Sequence, residues 1–281
     1  MRAPAVTVHR DVVYGRPIGF RPLSLDLYLP HEPARGLCLY LHGGGWRVGS
    51  RVDAPGTARS WSPSFFEQVA GSGLAMASID YRLSGEASYP AQQQDLAAAA
   101  AFLDEHRADY GLSTSRTVAW GVSAGGHLAA LDALTRGYIP GAAGAVAAVV
   151  CWYTPTDLGQ LSGDVAAAGG QPDRGPGGRE SQLIGAPLDE RPDLVEAASP
   201  THHVTGGAPG APGGPPFLFV HGSADVSVPP RQSHRLADAL TAAGGRATVE
   251  IVDGATHMFP ELDDDATHRI VQRSVEFLLA A

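Results

Sequence analysis

From about residue 23 to its end, the chain alternates short apolar runs with amphipathic stretches, and this rhythm constrains the fold more than any other feature. Apolar runs too short for helices read as strands buried on both faces, and the stretches between them read as crossover helices. The pattern therefore predicts an α/β domain with a mostly parallel sheet. Candidate strands are Thr7–Tyr14, Ser24–Leu29, Gly36–Leu41, Leu74–Asp80, Thr117–Gly121, Ala145–Trp152, Phe217–His221 and Thr248–Val252. Candidate helices are Ala91–Tyr110, Ala124–Thr135, Pro230–Ala243 and a last one from about Asp264 to Leu279. No internal repeat interrupts the series.

Two segments break the rhythm. Gly159–Glu180 contains Ala-Ala-Ala-Gly-Gly and Asp-Arg-Gly-Pro-Gly-Gly, which predicts a mobile loop rather than a helix or strand. Gly206–Pro216 is a second low-complexity run, set directly before a strong strand. Both read as surface excursions inside one domain, because the periodic pattern resumes after each. They are either tolerated insertions or, for the first, the border of a lid over a site.

Composition removes whole classes of function. With 281 residues, 44% hydrophobic and 17% charged, the chain can bury a large core, which excludes a disordered tail or a stapled mini-domain. A net charge of -9 opposes binding to a nucleic-acid backbone. All 20 basic residues are arginine, and neither Lys nor Asn occurs. A Schiff-base lysine, a Walker-type lysine and an Asn glycosylation acceptor are thereby excluded. Cys38 and Cys151 are too few for a disulfide framework or a zinc cluster and sit in apolar runs, so packing is their expected role. Met1–Arg10 has no apolar core of the length that export needs, and no apolar stretch is long enough to span a membrane. The expected location is cytoplasmic.

The sharpest chemical signal is Trp120-Gly121-Val122-Ser123-Ala124-Gly125-Gly126-His127, a G-x-S-x-G at the junction of a predicted strand and helix. A turn that tight needs glycine at its flanks and thrusts the serine hydroxyl above the sheet, making Ser123 the candidate nucleophile. His42-Gly43-Gly44-Gly45-Trp46 follows the strand ending at Leu41. Bare glycine amides there, at Gly44 and Gly45, can stabilise a carbonyl oxygen as it becomes negative, with the amide of Ala124 as the matching donor. An acid and a base must then follow the serine in that order. Asp225 lies beyond the strand ending at His221, and His257 beyond the strand ending at Val252, so both land on the rim that carries Ser123. Asp253 is the rival acid, but its closeness to His257 suits it to ordering its own turn. His127, His202, His203, His221 and His268 read as structural or solvated, and Glu261 with Asp263 to Asp265 as charges at the start of the last helix.

Together these motifs resemble the α/β-hydrolase superfamily, in particular its HGGG-bearing carboxylesterase branch, which includes hormone-sensitive-lipase-like and bacterial feruloyl or acetyl esterase-like groups. The resemblance runs from Leu25-Asp26-Leu27-Tyr28-Leu29-Pro30 to the final helix and takes in Asp80-Tyr81-Arg82-Leu83, Tyr89-Pro90, Pro155-Thr156-Asp157-Leu158 and Ala198-Ser199-Pro200. One departure stands out: Thr256-His257-Met258-Phe259 replaces the more usual Gly-His-Gly-Phe, which changes the leaving-group side. The resemblance implies a single α/β-hydrolase domain over residues 1–281, with an eight-stranded sheet and a lid or cap insertion at about 154–200.

It also implies a serine esterase working through an acyl-enzyme. His257 would take the Ser123 proton and return it to the leaving alcohol, while Asp225 holds the imidazole. Because the imidazole must be neutral to accept that proton, activity is expected to rise with pH through the histidine range. Trp46, Trp152, Tyr153 and Phe259 are candidate pocket residues, or else they seal the top of the core. The expected substrate is a small or moderately sized ester; no metal or organic cofactor, nucleic acid or membrane is called for, and the oligomeric state, monomer or dimer, stays open. Amide or formamide hydrolysis, acyl transfer and elimination use the same machinery and remain as alternatives. A non-catalytic binding protein is a further one, disfavoured because Ser123, Asp225 and His257 are all present.

Overall fold

The computed structural model describes residues 6–112, 114–135, 145–173, 175–204 and 214–281. In chain order the strands are β1 (Val6–Gly15), β2 (Leu23–Pro30), β3 (Leu37–Leu41), β4 (Ala75–Ile79), β5 (Thr117–Val122), β6 (Val146–Trp152), β7 (Phe217–Gly222) and β8 (Ala247–Val252). They form one sheet in the order β1-β2-β4-β3-β5-β6-β7-β8, antiparallel at β1–β2 and β2–β4 and parallel from β4 to β8. The strands expected from sequence correspond to these within two residues at each end. The helices are α1 (Phe65–Gly71), α2 (Ala91–Glu105), α3 (Ala124–Thr135), α4 (Leu158–Ala167), α5 (Arg179–Ile184), α6 (Pro192–Ala197), α7 (Arg231–Ala242) and α8 (Asp264–Ala280).

Strand β3 shows why the sheet takes a layer of helices on each side. All five of its residues are buried. Cys38 and Tyr40 face a core shared with Phe65 and Phe66 of α1 and Val275 and Leu278 of α8. Leu37 and Leu39 point the other way, toward Ala99 and Leu103 of α2, and Leu41 meets Leu128 of α3. A strand apolar at every position has no wet face, so the chain must cover both sides. The two thiols lie in cores on opposite faces, Cys38 with α1 and α8 and Cys151 with α3 and α7.

Gly159–Glu180 does not form the loop expected of it. Leu158–Ala167 is helix α4, whose start is capped by Asp157 accepting from the Gln160 amide at 3.1 Å. Leu161 and Val165 bury one face with Val228, and Asp164 receives Gln232 Nε2 at 2.7 Å and Arg235 Nη2 at 2.8 Å from α7. Tertiary contacts and a cap outweigh the low intrinsic propensity of its glycines. Beyond Gly170 the backbone is irregular until α5, with residue 174 outside the described set. Most of the second Gly-Pro run, Gly206–Pro216, also lies outside the described residues. No helix of the described residues is long and apolar enough to cross a membrane.

Because β3 to β8 run parallel apart from the order of their connections, the loops leaving β3, β5, β7 and β8 emerge on the same edge of the sheet. Open α/β sheets bind ligands at that edge.

Candidate active site

Ser123 joins β5 to α3 with φ of 53°, a left-handed conformation that side chains other than glycine's rarely adopt. Its amide donates to the Trp152 carbonyl at 2.8 Å, and its own carbonyl accepts from His127 N at 3.0 Å, which hold the strained turn from both sides. Gly125 is required here because a side chain would overlap the carbonyls of Leu41 and His42. The elbow and the loop after β3 are thus in backbone contact.

Ser123 Oγ lies 3.1 Å from His257 Nε2, and His257 Nδ1 lies 2.6 Å from Asp225 Oδ2. With the Nδ1 proton donated to the carboxylate, Nε2 is left to accept from the serine hydroxyl. Asp225 is 1% exposed, and its Oδ1 accepts the amides of Ser227 and Val228, each at 2.9 Å. Burial pushes this carboxyl up, but hydrogen bonds from His221 and His257, the nearby imidazole and the Val228 amide outweigh it and hold the carboxyl at about 2.

This depression makes a stability prediction. A carboxylate held below its unfolded value stabilises the fold fully above that unfolded value and loses the contribution as pH falls toward about 2. The wild type should therefore exceed Asp225→Asn by an ionisation-linked margin of about 2 kcal/mol near neutrality, with roughly half of it gone by pH 3. Denaturant unfolding of both proteins from pH 6 to pH 3 measures the margin, and a difference that does not change with pH would contradict it.

The loop after β3 supplies the third feature. Gly44 has φ of 114° and Gly45 of 59°, and a side chain at Gly44 would overlap the Val48 carbonyl. The amides of Gly44 and Gly45 carry no hydrogen bond to another described residue. Ala124, first in α3, has an amide that no intrahelical carbonyl can reach. His42, stacked 4.3 Å from Tyr81, braces the loop from behind, and Tyr81 Oη donates to the His42 carbonyl at 2.9 Å. The arrangement sets amides unpaired among the described residues beside a serine hydroxyl that is hydrogen-bonded to an imidazole.

Ser123 opens onto a cavity of about 360 Å³. Of the four aromatic residues expected on its wall, only Tyr153 lines it, with its ring edge toward His257 at 5.0 Å. Trp46 is turned inward against His127 at 5.1 Å. Trp152 sits among Trp120, Tyr153 and Phe259 and donates from Nε1 to Ser274 Oγ of α8. Phe259 packs edge-on to Tyr153 at 4.8 Å. These three belong to the layer behind the wall, because the pleat of β6 and the left-handed turns at Trp46 and Phe259 aim their rings into the core.

Among the rival residues, Asp253 is exposed and accepts from Ser223 Oγ at 3.1 Å, ordering its own turn. His127 and His203 bind the carbonyls of Ala198 and Ala197. Asp263 caps α8 as expected of an acid there, whereas Glu261 instead accepts from the amide and hydroxyl of Thr256, bracing the turn that carries His257. Sequence reasoning missed two neighbours of the site, Arg59 and Arg179, and read a third, His221, as structural or solvated. His221 Nε2 approaches Asp225 Oδ2 at 3.4 Å, and Arg59 and Arg179 line the cavity. His221, buried near the end of β7 four residues before the acid, is structural as read: its ring bonds Ser233 Oγ and the Val228 carbonyl, each at 2.7 Å. The two arginines come from a 3₁₀ turn after β3 and from α5, and no local pattern marks them.

Sheet order, strained elbow and glycine loop define an α/β-hydrolase fold of the HGGG-bearing kind. The chain belongs to the BD-FAE family, whose model matches residues 25–240. Esterase LipC of Mycobacterium tuberculosis (strain ATCC 25618 / H37Rv) is 31% identical over 92% of this chain and 63% of its own length. Esterase LipQ of the same organism gives 30% over 96% and 61%, so the chain spans less than two thirds of these curated relatives. Among solved structures, a truncated form of carbohydrate esterase from gut microbiota is similar with TM-score 0.77 and 27% identity, over 98% of this chain and 97% of that one. Thermogutta terrifontis esterase 2 phosphonylated by sarin is similar with TM-score 0.73 and 25% identity, over 100% and 95%.

Proposed function

We propose that this protein is a serine hydrolase that cleaves carboxylic esters of small or moderate size through an acyl-enzyme. The observation that carries the reading is the continuous relay from Ser123 Oγ through His257 to a buried Asp225, at 3.1 and 2.6 Å. His257 Nε2 takes the hydroxyl proton as Ser123 Oγ attacks the ester carbonyl, and then delivers it to the leaving alkoxide. Asp225 fixes the imidazole's tautomer and stabilises its cationic form. The amides of Gly44, Gly45 and Ala124 receive the oxyanion, each donor worth about a hundredfold to a thousandfold in rate. Water, activated by the same imidazole, then releases the acid. The names of the relatives, LipC, LipQ and a carbohydrate esterase, support esters as the substrate class, and a relative phosphonylated by sarin supports an activated nucleophile.

The same proposal includes a single domain, with the segment from about 154 to 200 as a lid whose α5 brings Arg179 to the cavity. It also includes a cytoplasmic location, with which two buried free thiols agree. A panel of 4-nitrophenyl esters of increasing acyl length, run beside aryl formamides, tests the reading. Turnover is expected for short acyl esters at rates at least a hundredfold above the formamides. Absence of ester turnover, or faster formamide cleavage, would overturn it.

A further inference from the structure

The ester-hydrolase reading leaves one feature of the cavity unused. Arg59 and Arg179 stand on the wall that Ser123 opens onto. In a chain of net charge -9, arginines near this edge of the sheet are otherwise engaged by carboxylates. Arg51 is held by Asp26 at 2.8 Å and by Asp80 at 2.7 Å, Arg82 by Asp95 at 2.7 Å, and Arg235 by Asp164 at 2.8 Å. Arg179 has only a loose exposed pairing with Asp173, at 3.4 Å. Arg59 has no acidic partner among the described residues; its one hydrogen bond runs from Nε to the Ala54 carbonyl at 3.1 Å.

That bond positions the group. It ties Arg59 back across the 3₁₀ turn Gly56–Ser60, and Gly56 abuts the histidine turn, since a Cβ there would come 2.6 Å from the Met258 carbonyl. Burial pushes the Tyr153 phenol well up and the Arg59 charge offsets only part of that push, so this charge reaches the residue that touches His257. The stem of Arg179 lies over Gly45, with Cδ 2.8 Å from where a Cβ would stand, so this side chain borders the glycine loop while its head meets Asp173. The one carboxylate on the wall among the described residues, Asp53, is turned to Ser50, whose amide it receives at 2.8 Å. Arg59, free of carboxylates among the described residues on the wall of a cavity of about 360 Å³, is a fork-shaped receptor for a second carboxylate on the substrate, with Arg179, whose head is held only loosely by Asp173, as the cation beside it.

We propose that the preferred ester carries an ionised carboxylate away from the scissile bond, bound by Arg59 and assisted by Arg179. This rests on the ester-hydrolase reading and deepens it. Charge-assisted pairs of this kind are expected to favour the anionic substrate about tenfold to a hundredfold in kcat/KM, mainly through KM.

Two matched pairs test it, each corrected for the uncatalysed rate. Phenyl hemisuccinate against phenyl succinamate places the carboxylate on the acyl side, and 4-acetoxybenzoate against 4-acetoxybenzamide places it on the alcohol side. The expected result is a preference of at least tenfold for the anion in one pair, which says which side faces Arg59. In Arg59→Gln that ratio should fall to near one, in Arg59→Lys it should be partly kept, and in the exposed control Arg269→Gln it should be unchanged. Turnover without an anionic preference in either pair overturns the inference and leaves the esterase reading standing. An equal loss for both members of a pair in Arg59→Gln marks a structural role and also overturns it. No turnover of any of the four esters removes the underlying reading itself.

Discussion

Replacing Ser123 by alanine is expected to lower kcat/KM for a 4-nitrophenyl ester by on the order of 10⁴- to 10⁶-fold, with the fold retained. The serine hydroxyl makes one side-chain contact, to His257 Nε2 at 3.1 Å, while the turn is held by backbone bonds through its amide and carbonyl, which alanine keeps. The left-handed φ of 53° also suits alanine no worse than serine. Intact-mass analysis after exposure to a fluorophosphonate provides a second reading. Wild type should gain a single adduct and Ser123→Ala none. An adduct on both proteins, or activity within tenfold of wild type in the variant, would assign the nucleophile elsewhere.

Gly125→Ala is expected to damage stability and catalysis together. Its Cβ would overlap the carbonyls of Leu41 and His42, both backbone atoms that cannot rotate away. The start of α3 would have to retreat from the loop after β3, at a cost of about 3 kcal/mol or more. That retreat would also separate the amide of Ala124 from those of Gly44 and Gly45. A shift of about 1 Å between reacting groups can cost roughly a hundredfold in rate. Thermal unfolding and kcat/KM measured on the same preparation check both effects. Gly163→Ala is the contrasting case: it lies in α4 with nothing within 4 Å of a Cβ, so the substitution should be neutral or stabilise by up to about 1 kcal/mol. Equal behaviour of the two variants would refute the close contact at the elbow.

The parts of the site legible in sequence are those written in contiguous residues. Gly121-Val122-Ser123-Ala124-Gly125 needs small residues at fixed offsets from the serine, because the turn is tight whatever surrounds it. The three glycines after His42 are legible for the same reason, as are the strands, since burial on both faces demands an unbroken apolar run. Chain order then proposes Asp225 and His257, and strand ends place them on one edge. Helix α4 was not legible, because its glycines argue against a helix while its support comes from Gln232 and Arg235, about seventy residues away. The aromatic residues were legible as residues near the rim, but not in direction: Trp46, Trp152 and Phe259 turn into the core, and Tyr153 alone faces the cavity.

By itself, the sequence of this protein determines the mostly parallel sheet, its two covering layers and the chain order of the proposed nucleophile, acid and base, because local sterics and burial periodicity act over a few residues. Only the tertiary structure decides what surrounds Ser123: the 3.1 and 2.6 Å relay, His221 at the back of Asp225, Glu261 under Thr256, and the cations Arg59 and Arg179 across the opening. The physical reason is that a charge or a ring acts through space. Arg59 and Arg179 come from segments 120 residues apart, and nothing in either segment encodes that they share a wall.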